Sequence, residues 1–246
     1  MSKRYAIRIR RFDTLMLDFA RIHALLFDLD GTLADTDDAY IAAVARIIQP
    51  FHVLFPGRSP TRFLRWGLMT TETPLNWLMT VPDRLNLDTL LATATDTLYR
   101  LRGQGSAKRF LLIEGVRPML ESLAARYPLA LVTSRDRRNA EGFLEQFELR
   151  PYFQVVVSAL TAPRIKPHPA PVYHAAQQLG LPVENCVMIG DTTMDIRAGR
   201  RAGAQTVGVL CGFGERRELE RAGATLILNK TAELTDVLLK QPAWEN

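Results

Sequence analysis

Ala24-Leu25-Leu26-Phe27-Asp28-Leu29-Asp30-Gly31-Thr32 starts as four apolar residues and ends in two acids around a leucine, then a glycine and a hydroxyl. Four apolar residues without alternation suit a strand buried on both faces, as in a parallel sheet covered by helices. The polar residues after them then sit at the strand's carboxyl end, where open α/β sheets bind ligands. The same arrangement recurs downstream. Leu129–Val132 runs into Thr133-Ser134, Lys166 lies in the connection after Val155–Val157, and Val187–Ile189 runs into Gly190-Asp191. Thr206–Leu210 is a further run of the same kind. Helical patterns fill the gaps at Val116–Arg126, Arg137–Phe147, Ala170–Leu179 and Thr193–Ala202, and in the first of them Val116, Leu120 and Leu123 form one apolar stripe. Strand and helix in alternation predict right-handed crossovers and an α/β fold, a doubly wound, Rossmann-like parallel sheet.

Residues 36–112 break this rhythm. Thr36–Ile48 has the spacing of an amphipathic helix, Pro50, Pro56, Gly57 and Pro60 punctuate the next stretch, and helical patterns recur near 61–70, 74–80 and 88–102, with no strand among them. The expected organisation is a catalytic core of residues 23–35 and 113–246, an inserted all-helical cap domain over 36–112, and a basic N-terminal extension over 1–22. Ala34–Asp35 and Ile113–Gly115 are the expected joints. Trp66 and Trp77 read as the cap's own core.

Composition sets the outer limits. A chain of 246 residues with 47% apolar and 23% charged residues has ordinary globular usage, which excludes disordered and fibrous classes. No stretch approaches the roughly 18 to 20 apolar residues of a membrane-spanning helix. Two cysteines, Cys186 and Cys211, make no disulfide framework and read as buried free thiols, consistent with a cytoplasmic location. The net charge of +5 is concentrated at the start, where Lys3, Arg4, Arg8, Arg10, Arg11 and Arg21 stand against Asp13 and Asp18. That leader carries +4 and the rest of the chain +1, so the body lacks the basic face that nucleic-acid binding requires. The leader reads as an extra strand or helix lying on the core, with a binding arm and an Arg-rich organelle presequence as the alternatives.

Brought together by the sheet, Asp28, Asp30, Asp191, Thr133 and Lys166 would surround one crevice. Carboxylates that close repel one another unless a cation joins them, and a few hard oxygen ligands suit Mg²⁺. Side chains two apart on an extended segment point the same way, so Asp28 and Asp30 can address one ligand. Gly31 permits a sharp turn that brings backbone N–H groups toward an anion. Other polar residues have plainer readings: His168 as a loop residue, His174 as a packing or surface residue, and Arg135, Arg137 and Arg138 as a solvated helix face.

Asp28-Leu29-Asp30-Gly31-Thr32-Leu33, Thr133 closing Leu129–Val132, Lys166-Pro167, and Gly190-Asp191-Thr192-Thr193-Met194-Asp195 together resemble the four motifs of the haloacid dehalogenase superfamily, in order, from residue 23 to about 240. Gly208–Gly214 adds a likeness to phosphoglycolate-phosphatase-like members. The resemblance implies a phosphatase that acts on a small phosphorylated metabolite. In it Asp28 attacks phosphorus and Asp30 serves as general acid and base. Asp28, the Asp30 carbonyl and Asp191 hold Mg²⁺, with Asp195 behind them. Gly31, Thr32, Thr133, Ser134 and Lys166 bind the phosphoryl oxygens. Dehalogenase and phosphonate-cleaving members lack an acid two places after the nucleophile, so Asp30 favours phosphate-ester chemistry. Arg62 and Arg65, after the Pro60 break, are candidate partners for a substrate carboxylate. Sugar phosphomutase and pyrophosphatase activities on the same core are the alternatives. A non-catalytic binding protein built on the fold is a remote one, against which the intact Asp28, Asp30, Lys166 and Asp191 speak.

Overall fold

In the computed structural model, residues 17–35 and 110–239 are described. The chain divides into two compact units, Met1–Asp35 with Leu112–Asn246, and Thr36–Leu111. Residues 36–109 of the cap expected over 36–112, with Trp66, Trp77, Arg62 and Arg65, lie outside the described residues, as does the leader as far as residue 16.

Six parallel strands form the main sheet, all within the first unit: β1 (Ala24–Phe27), β4 (Leu129–Val132), β5 (Val155–Val157), β6 (Cys186–Gly190), β7 (Gln205–Val209) and β8 (Leu226–Leu228). Their order is β5-β4-β1-β6-β7-β8. The chain winds outward from β1 to β5 on one side, returns, and winds outward again from β6, so the order reverses between β1 and β6. Such a switch point opens a crevice at the carboxyl ends of the strands. Two further short strands, β2 (Ala34–Asp35) and β3 (Leu111–Leu112), form a separate ladder. β3 corrects the reading of 36–112 as free of strand. It is two residues long, below what apolar periodicity can register.

The helices are α1 (Val116–Ala124), α2 (Arg137–Gln146), α3 (Ala170–Gln178), α4 (Thr193–Ala202), α5 (Arg216–Ala222) and α6 (Leu234–Leu239). Each of the first four falls within two residues of its sequence pattern. Asp136 starts α2 by accepting the Asn139 N–H at 3.0 Å. β1 explains the packing. Alternate residues face opposite sides: Ala24 and Leu26 join Val132, Val172, Ala175, Met188 and Ala198 in one core cluster. Phe27, on the other face, sets its ring edge-on to Phe153 with centroids 6.3 Å apart. All four residues of β1 are fully buried, as an unalternating apolar run requires. Among the described residues no helix is long and apolar enough to cross a membrane.

The ordered core extends upstream of His23. Leu17 and Ile22 are buried. The Gln205 side chain, at the start of β7, pairs with the backbone of Asp18, accepting its N–H at 2.7 Å and donating to its carbonyl at 3.0 Å. Burying a leucine contributes about 1.5 to 3 kcal/mol and each such hydrogen bond about 0.5 to 1.5 kcal/mol. A chain that begins at Ile22 is therefore expected to melt roughly 5 to 24 °C below one that begins at Leu17. Calorimetry of the two truncations decides it, and equal melting temperatures would place residues 17–21 outside the fold.

Candidate active site

Register brings the polar residues together. Phe27 is level with Leu131 on one side and with Ile189 on the other, so Asp28, Thr133 and Asp191 follow their strands onto one edge of the sheet. The Asp28 N–H continues the ladder by donating to the Ile189 carbonyl at 2.9 Å, and the Thr133 N–H donates to Val157 at the same distance. Lys166, in the connection from β5 to α3, reaches into this edge. Its ammonium donates to Asp28 Oδ1 at 2.5 Å, to Asp195 Oδ1 at 2.6 Å and to the Val132 carbonyl at 3.0 Å. Three donors meet three acceptors, which is how a lysine only 5% exposed keeps its charge.

Asp195 serves two neighbours. While Oδ1 binds Lys166, Oδ2 accepts the Thr192 N–H at 3.0 Å and its hydroxyl at 2.7 Å, forming the capping box of α4. It therefore holds Lys166 and the start of α4, a more direct part than standing behind the metal ligands. Asp191 is wholly buried and its Oδ2 accepts the Phe213 N–H at 2.7 Å. The Thr32 hydroxyl lies 3.5 Å from its other oxygen. The chain closes tightly on this carboxylate. A Cβ at Gly31 or at Gly212 would fall 2.3 Å or 2.2 Å from Asp191 Oδ2, and Gly31 has a φ of +74°. Only glycine meets both demands at Gly31.

Electrostatics match this crowding. Burial pushes the Asp28 carboxyl up to about 7, with Lys166 pulling against it and Asp195 and Asp30 adding to it. Burial first, and then the charges of Asp195 and Asp28, hold Asp191 well above the ordinary carboxylate range. Burial also opposes the charge on Lys166, but Asp195 and Asp28 outweigh it and raise its pKa. Asp28, Asp191 and Asp195 can bring one oxygen each within 4.8 Å of one another. Three carboxylates around a single ammonium leave a deficit of two positive charges. One oxygen of Asp28 and one of Asp191 are not taken up by strong bonds to described residues, and a divalent cation at that place fits both their geometry and the charge deficit.

The remaining expected site residues divide. Thr133 is buried and its hydroxyl oxygen accepts the Arg135 N–H at 3.1 Å, which leaves the hydroxyl proton to be donated to a ligand. Thr32 is buried beside Asp191, and its carbonyl accepts the Thr231 hydroxyl at 2.7 Å. Ser134, in contrast, is exposed. Asp30 is at the crevice mouth, and both of its oxygens are taken by Arg135, Nε to Oδ2 at 2.6 Å and a terminal nitrogen to Oδ1 at 2.5 Å. The reading of Arg135 as part of a solvated helix face is thus corrected: α2 starts at Arg137, and Arg135 belongs to the turn after β4. An arginine two places after the threonine that ends a strand was the available signal. His168 is an exposed loop residue whose Nδ1 accepts the Ala170 N–H at 3.1 Å. Cys186 is buried and Cys211 only half-buried, and neither is in a disulfide.

The comparisons with known proteins agree with the fold. The family described as haloacid dehalogenase-like hydrolase matches residues 25–209. A phosphoglycolate phosphatase of Neisseria meningitidis is 31% identical over 209 residues, 83% of this chain and 87% of its own. A pyrophosphatase of Bacillus cereus is 28% identical, covering 89% of this chain and 97% of its own. Among solved structures, a haloacid dehalogenase-like hydrolase of Streptococcus pneumoniae superposes with a TM-score of 0.64 at 25% identity, over 89% of this chain and 99% of its own.

Lys166→Met keeps the volume and removes the cation, leaving Asp28 and Asp195 buried without it. Breaking a buried pair from one side costs about 3 to 5 kcal/mol. Urea unfolding at pH 8 is expected to register a loss of this size. A loss below about 1 kcal/mol would mean that the ammonium does not hold the site together.

Proposed function

This chain belongs to the haloacid dehalogenase-like hydrolase family, among its phosphatases, and on that premise we propose that it hydrolyses a small phosphomonoester through a phosphoryl group carried on Asp28. The observation that carries this reading is a buried carboxylate at the carboxyl end of the central strand. An ammonium holds it at 2.5 Å, and a second acid, Asp30, stands two residues on at the crevice mouth. Lys166 fixes one Asp28 oxygen and leaves the carboxylate oriented into the crevice.

Asp28 attacks phosphorus, the bond from phosphorus to the ester oxygen breaks, and Asp30 gives that oxygen its proton. The second half reverses the traffic. Asp30 takes a proton from water, the water oxygen attacks phosphorus, and the acyl phosphate opens to inorganic phosphate and the free Asp28 carboxylate. The Thr133 hydroxyl donates to the equatorial oxygens and the Lys166 charge attracts them through space, its donors remaining on Asp28, Asp195 and Val132; the Gly31 N–H, spent on the Ala34 carbonyl at 2.9 Å, takes no part. Ser134, exposed next to Thr133, adds its hydroxyl or its backbone N–H. Asp28, Asp191 and the Asp30 carbonyl would hold Mg²⁺, which supplies charge neutralisation between an anionic nucleophile and an anionic ester. The leaving group we assign is that of a small organic phosphate such as phosphoglycolate, after the Neisseria relative. Pyrophosphate is a second reading, favoured by the Bacillus relative.

Two substitutions test the chemistry. Asp28→Asn keeps the shape without the nucleophile, and phosphate release from phosphoglycolate is expected to vanish while the protein stays folded. Asp30→Asn is expected to slow alkyl phosphates about 10² to 10⁴-fold and p-nitrophenyl phosphate much less, because nitrophenolate leaves without a proton. Equal losses on both esters would remove Asp30 from the role of acid.

Metal binding has its own signature. With Asp28 raised to about 7 in the metal-free protein, protons compete with Mg²⁺ below that pH. Saturating Mg²⁺ is therefore expected to raise the melting temperature more at pH 8 than at pH 6, by about 2 to 4 °C for each kcal/mol of binding free energy. Asp191→Asn should abolish the increment. A melting temperature indifferent to Mg²⁺ at both pH values refutes the assigned metal site.

A further inference from the structure

We propose that Arg135 selects substrates whose leaving group carries a second anion, and that this anion draws the guanidinium off Asp30; the proposal rests on the phosphatase reading. Its starting point is an occupied acid. Both Asp30 oxygens accept from Arg135, at 2.6 and 2.5 Å, in the fork-on-carboxylate geometry. A carboxyl group that gives a proton to a leaving oxygen, and later takes one from water, has to present an oxygen to each. In the resting arrangement both are engaged, so turnover requires Arg135 to release at least one.

The root of Arg135 is fixed while its tip is at the surface of the crevice. Its N–H donates to the Thr133 hydroxyl oxygen at 3.1 Å, and its carbonyl accepts the Ala159 N–H at 2.9 Å. The backbone is therefore pinned between the ends of β4 and β5, beside a proposed phosphoryl-binding hydroxyl. The side chain retains 27% exposure and Asp30 29%, in contrast to the closed pair of Lys166 and Asp28. The charges of Asp28 and Asp136 also act on the guanidinium, keeping it at the mouth of the site.

The chemistry of the fork decides which groups can take the place of Asp30. A guanidinium drawn from a carboxylate into a substrate-filled crevice loses two charge-assisted hydrogen bonds and water together. A leaving group with its own carboxylate or phosphate offers the same planar or multi-oxygen acceptor in exchange. A neutral alkyl group offers none, and Arg135 stays on Asp30. The acid is then released only when the correct substrate is bound, so selection takes place at the step that breaks the ester.

The test compares kcat/KM of wild type, Arg135→Gln and Arg135→Lys with Mg²⁺ on phosphoglycolate, pyrophosphate and ethyl phosphate. Arg135→Gln is expected to lose roughly 10- to 100-fold on at least one anionic substrate. Ethyl phosphate should hold or improve, which also shows that the variant is folded, and Arg135→Lys should recover part of the loss. The larger loss of the two identifies carboxylate or phosphate as the anion read. A common loss on all three substrates, or none on any, overturns the proposal. A binding arm separates it from the phosphatase reading: in Asp28→Asn, calorimetry should find tighter binding of phosphoglycolate than of ethyl phosphate, and Arg135→Gln should erase that preference. If the wild type hydrolyses none of the three, the phosphatase reading falls and the binding arm decides for Arg135; a preference that is absent, or that survives Arg135→Gln, overturns the proposal.

Discussion

The Lys166 ammonium is the point to which the rest of the site is tied. It stands among Asp28, Asp195 and the Val132 carbonyl, and so joins β1, the end of β4 and the first turn of α4 through one buried charge. Removing it would leave carboxylates that burial already disfavours. Keeping it fixes where the Asp28 oxygens lie, because an ammonium with three protein acceptors has no donor left to share with water. The main-chain registers at Leu131 and Ile189 serve the same end, since a slip of one residue would turn Asp28 onto the opposite face.

Folding and chemistry share groups here. Asp195 caps α4 with one oxygen and holds Lys166 with the other, so the start of the helix and the position of the cation form one constraint. Asp191 is similarly shared, because the Phe213 N–H that holds it comes from the loop after β7. Gly31 and Gly212 let two separate backbone segments close on that carboxylate. The cost is a buried cluster with excess negative charge, which a divalent cation could offset. A site that binds its metal by electrostatic need has to be short of positive charge before the metal arrives.

Most of this was legible in the sequence because it rests on periodicity and on strand ends. β1, β4 and β5 match their apolar runs residue for residue, and β6 and β7 differ at their ends by one residue. β8 and α5 gave no reading: Leu226–Leu228 is three residues with two only half-buried, and Arg216–Ala222 is seven residues rich in charge. Such short edge elements take their structure from neighbours rather than from their own pattern. Asp28, Lys166 and Asp191 were legible through motif spacing. The Arg135 fork was not, because it joins positions separated by 105 residues, and a charged residue before a helix has solvent as its default partner. The upstream edge of the core was legible only as a leader lying on the core: Leu17 sits in a charged stretch, and Gln205, which anchors its neighbour Asp18, gives no local sign of its task.

Two cations of different kind hold the two acids that follow β1, Lys166 on Asp28 and Arg135 on Asp30, and the difference is physical. Lys166 is a compact charge surrounded by fixed acceptors, and its contacts cannot change without unpacking the sheet edge. Arg135 is a planar fork on a pinned backbone, partly open to solvent, and the exchange of anions we propose for it would leave the sheet undisturbed. The proposed nucleophile therefore sits with the cation that cannot move, and the proposed acid with the more open one. A phosphoryl-transfer site needs that division: the attacking oxygen has to be held before substrate arrives, whereas the proton donor is useful only after the leaving group is in place.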